Sequence, residues 1–437
     1  MDATQPAQAT LADDTRGMVF LLAGAAFFSG VALRICDGLL PRLASDFSIT
    51  AGTAGQVVLA FSVAYSLMQL LSGPLGDRFG KARMVALALA GCAVMSAVAS
   101  WMPRFELLLL VRIAWGMAAA GIIPLAMAWI GDNVPYAQRQ AVLARLLLGT
   151  LSGLTAGQLA GGFFGDADAG WRGAFLSLAL GYTLIAGLLL WRLSRLSRLA
   201  QLTLAPSAAA AELHPGVSAA EAVVSADVAR SAKAAGESGW ARARRQTLAV
   251  VATPWNRLVL WATFFEGLFL LGPLAFVPTL LHRDFALSLS AASGLIAFYA
   301  LGGLVYALLA RRLILALGER RMVLIGGLLM GAGMAAWWLS PLAWTAAPVA
   351  LLVGFGTYLY HNTLQALATQ MAPESRGTAV SLFSFAFFFG QAIGVTGAGW
   401  AFDHLGGGVM LSASVVALPL VAWRFSRALA LRPTSAG

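Results

Sequence analysis

Charge is the scarcest commodity in this 437-residue chain. Asp, Glu, Lys and Arg make up 11% of it, against 59% hydrophobic residues and a mean hydropathy of +0.79. Soluble domains carry about 25% charged residues, so a chain this apolar places most of its surface in lipid, which excludes an ordinary soluble globule. Lysine is nearly missing: Lys81 and Lys233 stand beside 27 arginines. With the richness in alanine and glycine, that bias points to a GC-rich bacterial genome and a bacterial inner membrane. Cysteine is limited to Cys36 and Cys92, far apart and each inside an apolar segment. They form no metal or redox pair and read as small buried hydrophobes. The four histidines (His214, His282, His361 and His404) are isolated. The chain therefore has no His-Glu-x-x-His helix, no metal site and no call for a cofactor, and a membrane-embedded enzyme loses its support. A Walker A loop is also missing, because Gly80-Lys81 is followed by Ala82; an ATP-driven pump needs one. The ten-residue alternation of a membrane β-barrel is absent too.

What is present is a series of apolar runs of about 20 residues, the length of a membrane-crossing helix. The first six lie near 18–40, 53–75, 83–101, 105–131, 141–163 and 171–191. The second six lie near 255–280, 289–313, 321–340, 345–370, 377–402 and 407–428. The expected fold is an all-α membrane protein of twelve helices in two pseudo-symmetric bundles, 18–191 and 253–428. Between them, residues 192–252 form the one long polar stretch, read as a linker with some surface helix. Residues 1–17 and 429–437 are tails. The first tail is polar and acidic (Asp2, Asp13 and Asp14) and does not read as a cleavable signal.

Arginine and lysine accumulate in cytoplasmic loops. With both termini inside, 23 of the 29 basic residues fall on the cytoplasmic side, four on the other, and Arg34 and Arg112 within helices. That asymmetry orients the chain. It also explains the formal charge of +10 without a nucleic-acid partner.

Polar groups inside spans are costly and normally face a cavity or a partner. Arg34 and Asp37 lie in the first span, Arg112 in the fourth, Glu266 in the seventh, and His361, Asn362 and Gln365 in the tenth. The middles of spans 3, 6, 9 and 12 carry no charge. Recurrence at every third helix fits four three-helix units whose first members line a central path, the build of repeat-based transporters. Milder polar stripes run along span 2 (Ser62, Tyr65, Gln69 and Ser72), span 5 (Ser152, Thr155 and Gln158) and span 11 (Ser381, Ser384, Phe388 and Gln391). Taken singly, each suits helix packing; together with the charges they outline a substrate cavity. The expected lining is Tyr65, Gln69, Trp115, Gln158, Tyr358, His361, Asn362, Gln365, Phe388 and Gln391.

Between spans 2 and 3 stands Gly73-x-x-x-Asp77-Arg78-x-Gly80-Lys81-x-Arg83. It resembles the signature loop of the major facilitator superfamily. Arg112-x-x-x-Gly116 is similar to that family's helix-4 motif. Gly153-x-x-x-Gly157-Gln158-x-x-Gly161-Gly162 is similar to its antiporter motif but has glutamine where the family has proline. A weak echo of the signature, with no matching aspartate, recurs at 310–323. The resemblance covers nearly the whole chain and implies a secondary transporter, closest to the drug/proton antiporter branch and functional as a monomer. From the residues, Gly73 and Gly76 permit close approach of helix backbones and Gly80 a tight turn. Asp77 and Asp132 share a face with Arg78, Lys81 and Arg83. Pairing among them, with Asp77 at the positive end of span 11, would form a cytoplasmic latch that holds the halves in the outward-facing state.

Protons are the expected coupling ion because titratable groups sit within the spans. Asp37, about 5 Å from the outer end of span 1 by helical rise, forms an expected charge cluster with Arg34 and Arg112. Glu266, about 15 Å along span 7, lies near the midplane, with no basic residue within one turn of its own helix. Glu266 or Asp37 is the expected proton carrier. Phenylalanines in spans 7 and 11 suit an amphipathic or lipophilic substrate moved outward; an importer of organic anions or sugars is the alternative.

Overall fold

The computed structural model describes residues 4–211, 239–372 and 375–431. Eleven of its segments are long and apolar enough to cross a membrane. One of these, Leu289–Leu339, holds two spans. Its 51 residues would reach about 75 Å as a single helix, more than twice a ~30 Å hydrocarbon core, and it folds back at Gly318, where φ is +65° and ψ 169°. Twelve spanning helices result among the described residues. They are α1 (Thr4–Arg34), α2 (Gln56–Phe79), α3 (Lys81–Ser100), α4 (Phe105–Ala119, continued by Ile122–Asn133), α5 (Tyr136–Asp166) and α6 (Gly170–Ala211). The second half has α7 (Pro254–Glu266, continued through Gly267–Leu271 and Gly272–Leu274), α8 and α9 (289–317 and 319–339), α10 (Ala346–Ala368), α11 (Arg376–His404) and α12 (Gly407–Ala430). Helix α1 begins inside the stretch read as a tail, and α6 continues to Ala211. A further helix, Gly239–Ala252, precedes α7. The polar stretch is therefore helical on both flanks, and residues 212–238 lie outside the described residues.

Each half is built on the same pairings. Helix α1 packs on α5, α2 on α4 and α3 on α6; α7 packs on α11, α8 on α10 and α9 on α12. Glycine makes the first contact close. A Cβ at Gly149, Gly153, Gly157 or Gly161 of α5 would run into the carbonyl of Ala23, Phe27, Val31 or Ile35 of α1. Both sets advance by four residues, so one small-residue ridge follows the α1 backbone. In the second half, Gly390 and Gly394 of α11 meet the carbonyls of Phe264 and Leu268 of α7 in the same way.

The halves also share a break. Helix α1 unwinds over residues 35–39 and resumes as Leu40–Phe47, ending at Ser48 with φ +54°. Helix α7 unwinds at residues 275–276 and resumes as Val277–Phe285, ending at Ala286 with φ +51°. Two residues later a hydroxyl caps the next helix: Thr50 accepts from the Thr53 amide and Ser288 from the Ala291 amide. Asp37 thus sits in an unwound turn rather than one turn below a helix end, because the chain re-enters helix at Leu40.

Across the halves, α2 packs against α11 and α5 against α8. Two carboxylates close this junction at the end opposite the arginine-rich loops. Asp166, last residue of α5, accepts from the amides of Leu289 (2.9 Å) and Ser290 (2.7 Å) at the start of α8. Asp403, near the end of α11, accepts from the Gly52 amide (2.9 Å) and the Thr50 hydroxyl (2.6 Å) just before α2. Four residues before each aspartate, Gly162 and Gly399 let the same two helix starts come close.

Candidate functional site

Between the halves lies a cavity of about 500 Å³. Its wall draws on α1 (Arg34), α2 (Tyr65 and Gln69), α5, α8 (Tyr299), α10 and α11. At the arginine-rich end its lining residues Gln140, Leu147 and Gln365 are exposed, whereas Arg34 at the other end is buried. The cavity therefore opens toward the arginine-rich face and is shut at the opposite one. Of the ten residues expected to line it, eight do: Tyr65, Gln69, Tyr358, His361, Asn362, Gln365, Phe388 and Gln391. Tyr65 and Phe388 meet edge to face across the two halves, with ring centroids 4.7 Å apart.

Trp115 and Gln158 do not line it. Trp115 is fully buried within the amino-terminal bundle against Phe61, Phe175 and Tyr182, because its side of α4 faces α2 and α6. Gln158 is buried at a smaller crevice with Arg34, Tyr299 and Tyr358, where the halves meet.

The expected charge network divides into two groups. In the amino-terminal half, Arg34 Nη1 donates to Asp37 Oδ2 at 2.9 Å, and Asp37 is fully buried. The i, i+3 spacing and the unwound turn bring the two together. The Arg34 guanidinium also lies 5.7 Å from the ring centroid of Tyr299 in the other half. Arg112 is buried. Its Nε donates to the Val57 carbonyl at 3.1 Å, and its guanidinium rests on Phe61 (4.3 Å) and Trp115 (4.8 Å). It lies close enough for its charge to act on Asp37.

In the other half, Glu266 Oε2 is 3.1 Å from His361 Nδ1. Glu266 is 1% exposed and sits behind His361, which faces the cavity against Phe383 and Phe387. Directly after Glu266, α7 widens into the π turn Gly267–Leu271; such bulges concentrate at functional sites. The sequence places Glu266 and His361 at matching depths but does not pair them. The pair is one the α7–α10 contact creates.

At the arginine-rich end, Lys81 Nζ pairs with Asp132 Oδ2. Both belong to the amino-terminal half, so this contact ties α3 to α4 and does not itself bridge the halves. Arg78 and Gly80 are exposed, Gly80 with φ +88°, and Arg78 lies 5.2 Å from the Phe79 ring. The expected partnership of Asp77 falls on side chains outside the described residues, as does Gly73. Both cysteines are buried, and no metal-ligand cluster occurs among the described residues.

A family model, the Major Facilitator Superfamily, matches residues 22–430. The chain belongs to that superfamily. An uncharacterized facilitator-type transporter YceJ of Bacillus subtilis is 23% identical, over 88% of this chain and 89% of its own. The 4-hydroxybenzoate transporter PcaK of Pseudomonas aeruginosa is 24% identical, over 89% of this chain and 88% of its own. Among solved structures, a bacterial homologue of the human lysosomal transporter Spinster, inward-facing and unoccupied, superposes with a TM-score of 0.68 at 17% identity, covering 97% and 99% of the two chains. This facilitator is thus a multi-pass membrane transporter of small molecules and not an enzyme.

Proposed function

We propose that this facilitator exchanges protons for a small amphipathic molecule, so that an inward proton gradient drives the molecule out of the cell. The observation that carries the reading is the Glu266–His361 pair on the cavity wall. One member touches the cavity, and the other is sealed behind it, next to a π turn. Protonating Glu266 removes the carboxylate's hold on the imidazole that faces the cavity, so proton and substrate act on one contact and their binding is coupled. Aromatic walls from Tyr65, Tyr299, Tyr358, Phe387 and Phe388 supply the apolar contact. The arginine excess supports a cytoplasmic position for the exposed mouth of the cavity and for both termini. Asp37 and Arg34 form the second charged element, and the α2–α3 junction, with Lys81 paired to Asp132, is the amino-terminal side of a cytoplasmic latch.

The test uses inverted membrane vesicles loaded with a fluorescent amphipathic probe, with and without an imposed pH gradient. Gradient-dependent accumulation supports proton-coupled export; gradient-dependent loss would reverse the direction. A second reading, uptake of small organic anions, is favoured by Arg34 on the cavity wall and by the likeness to a protein named for 4-hydroxybenzoate. The same assay separates the two.

A further inference from the structure

The charge balance of the cavity does not close within the protein. Among the described residues, the buried carboxylates are Asp37 in the first half and Glu266 in the second. Asp37 pairs with one buried arginine, Arg34, and a second, Arg112, lies close enough for its charge to act on it. Arg34 takes its Oδ2, while its Oδ1 and Arg112 Nη1 are both buried without a hydrogen-bond partner. One carboxylate therefore serves two guanidiniums, and arginine does not shed its charge in proteins. A buried charge without a counter-ion is costly, and Glu266 on the far wall is already covered by His361.

Of the two arginines, Arg112 is sealed between Phe61 and Trp115, whereas Arg34 forms part of the cavity wall. Among the described residues Asp37 is the one hydrogen-bond partner of Arg34, which uses a single nitrogen of a group with five N–H donors. Among the described residues no aspartate or glutamate lines the cavity, Glu266 lying behind His361. A cationic substrate would find no counter-charge there, and a neutral one would leave the excess positive charge as it is.

We propose that the molecule carried in this cavity is a small aromatic monocarboxylate and that Arg34 is the residue that takes its carboxylate. The inference rests on the reading that this cavity holds the substrate, and it stands for either direction of transport. Bound there, the carboxylate supplies the second negative charge that Arg34, Asp37 and Arg112 lack. The fork of the guanidinium matches it in shape. The ring then lies among Tyr299, Tyr358, Tyr65 and Phe388, in a cavity whose volume of about 500 Å³ suits one such molecule.

The experiment uses the full-length protein and two sets of probes alike in shape but different in charge. These are benzoate, benzamide and benzamidine, and 2-naphthoate with its amide and amidine. Equilibrium binding is measured by calorimetry, and counterflow in proteoliposomes reports movement. The acids are expected to bind on the order of tenfold to a hundredfold more tightly than their amides, the range of hydrogen bonds to charged groups. R34Q is expected to lower the acid to the level of the amide, and R34K to restore part of the preference. This selectivity ratio would not move if Arg34 were only structural. An amide or amidine that binds as tightly as its acid overturns the inference, as does a preference that survives R34Q. If an amide or amidine is carried instead, the cavity keeps its role and only the anion assignment falls. If no probe binds or moves, both fall.

Discussion

Glu266 and His361 are 95 positions apart in the chain, and each is unremarkable in its own helix. Their separate polarity is legible in the sequence, because a carboxyl and an imidazole inside apolar runs stand out. Their pairing is not, since hydropathy carries no information about which face of α7 meets α10. Arg34 and Asp37 are the opposite case: three residues apart, they announce their contact. Trp115 shows a third situation. Arg112, three residues before it, marks its face of the helix as polar, but hydropathy does not say whether that face meets a cavity or the bundle, and the residue falls inside the bundle. If Glu266 carries the proton, Glu266→Gln should abolish substrate movement driven by a pH gradient while leaving exchange down a concentration gradient. Proteoliposome assays with and without the gradient read the two separately, and loss of both would point to a structural role instead.

Ten of the twelve helices end within a few residues of the limits that hydropathy sets, since a span's length follows from the thickness of the hydrocarbon it crosses. Helices α1 and α6 run past those limits because polar residues can continue a helix beyond the lipid. The crossing of α1 and α5 is written in the sequence as glycines every four residues. Gly153→Val should destabilise the protein by about 1–3 kcal/mol, the usual cost of overpacking, seen as a lower melting temperature in detergent. Gly187→Ala, where a Cβ meets nothing within 4 Å, should leave it unchanged.

The two carboxylates that hold the halves together, Asp166 and Asp403, escape a reading by composition because each looks like an ordinary loop aspartate at the end of a span. Their one textual signal is the glycine four residues upstream in each half. Asp166→Ala and Asp403→Ala remove acceptors from the starts of α8 and α2. Each should favour opening at that face, and the double variant more so, since the caps sit on separate helix pairs. The readout is thiol modification of a cysteine replacing Ser293, buried beside Gly162, in a chain without Cys36 and Cys92. A several-fold faster reaction is expected, and an unchanged rate would mean that other contacts keep this face shut.

For the molecule as a whole, the proposed orientation puts both ends of the chain, with the arginine excess, in the cytoplasm. Alkaline phosphatase fused after Leu431 should be inactive in bacteria, whereas fusion after Trp101, between α3 and α4, should be active; the reverse result would invert the orientation. The π turn in α7 has a consequence for the whole bundle as well. Its five residues, Gly267–Leu271, take one residue more per turn than an α-helix uses. Deleting one of them should leave a continuous helix yet rotate everything on one side by about 100°. Either Glu266 would swing away from His361, or the segment from Val277 would swing away from its seat. Helix α7 thus acts as a torsional spacer, in which angular phase rather than length decides which way the carboxylate faces.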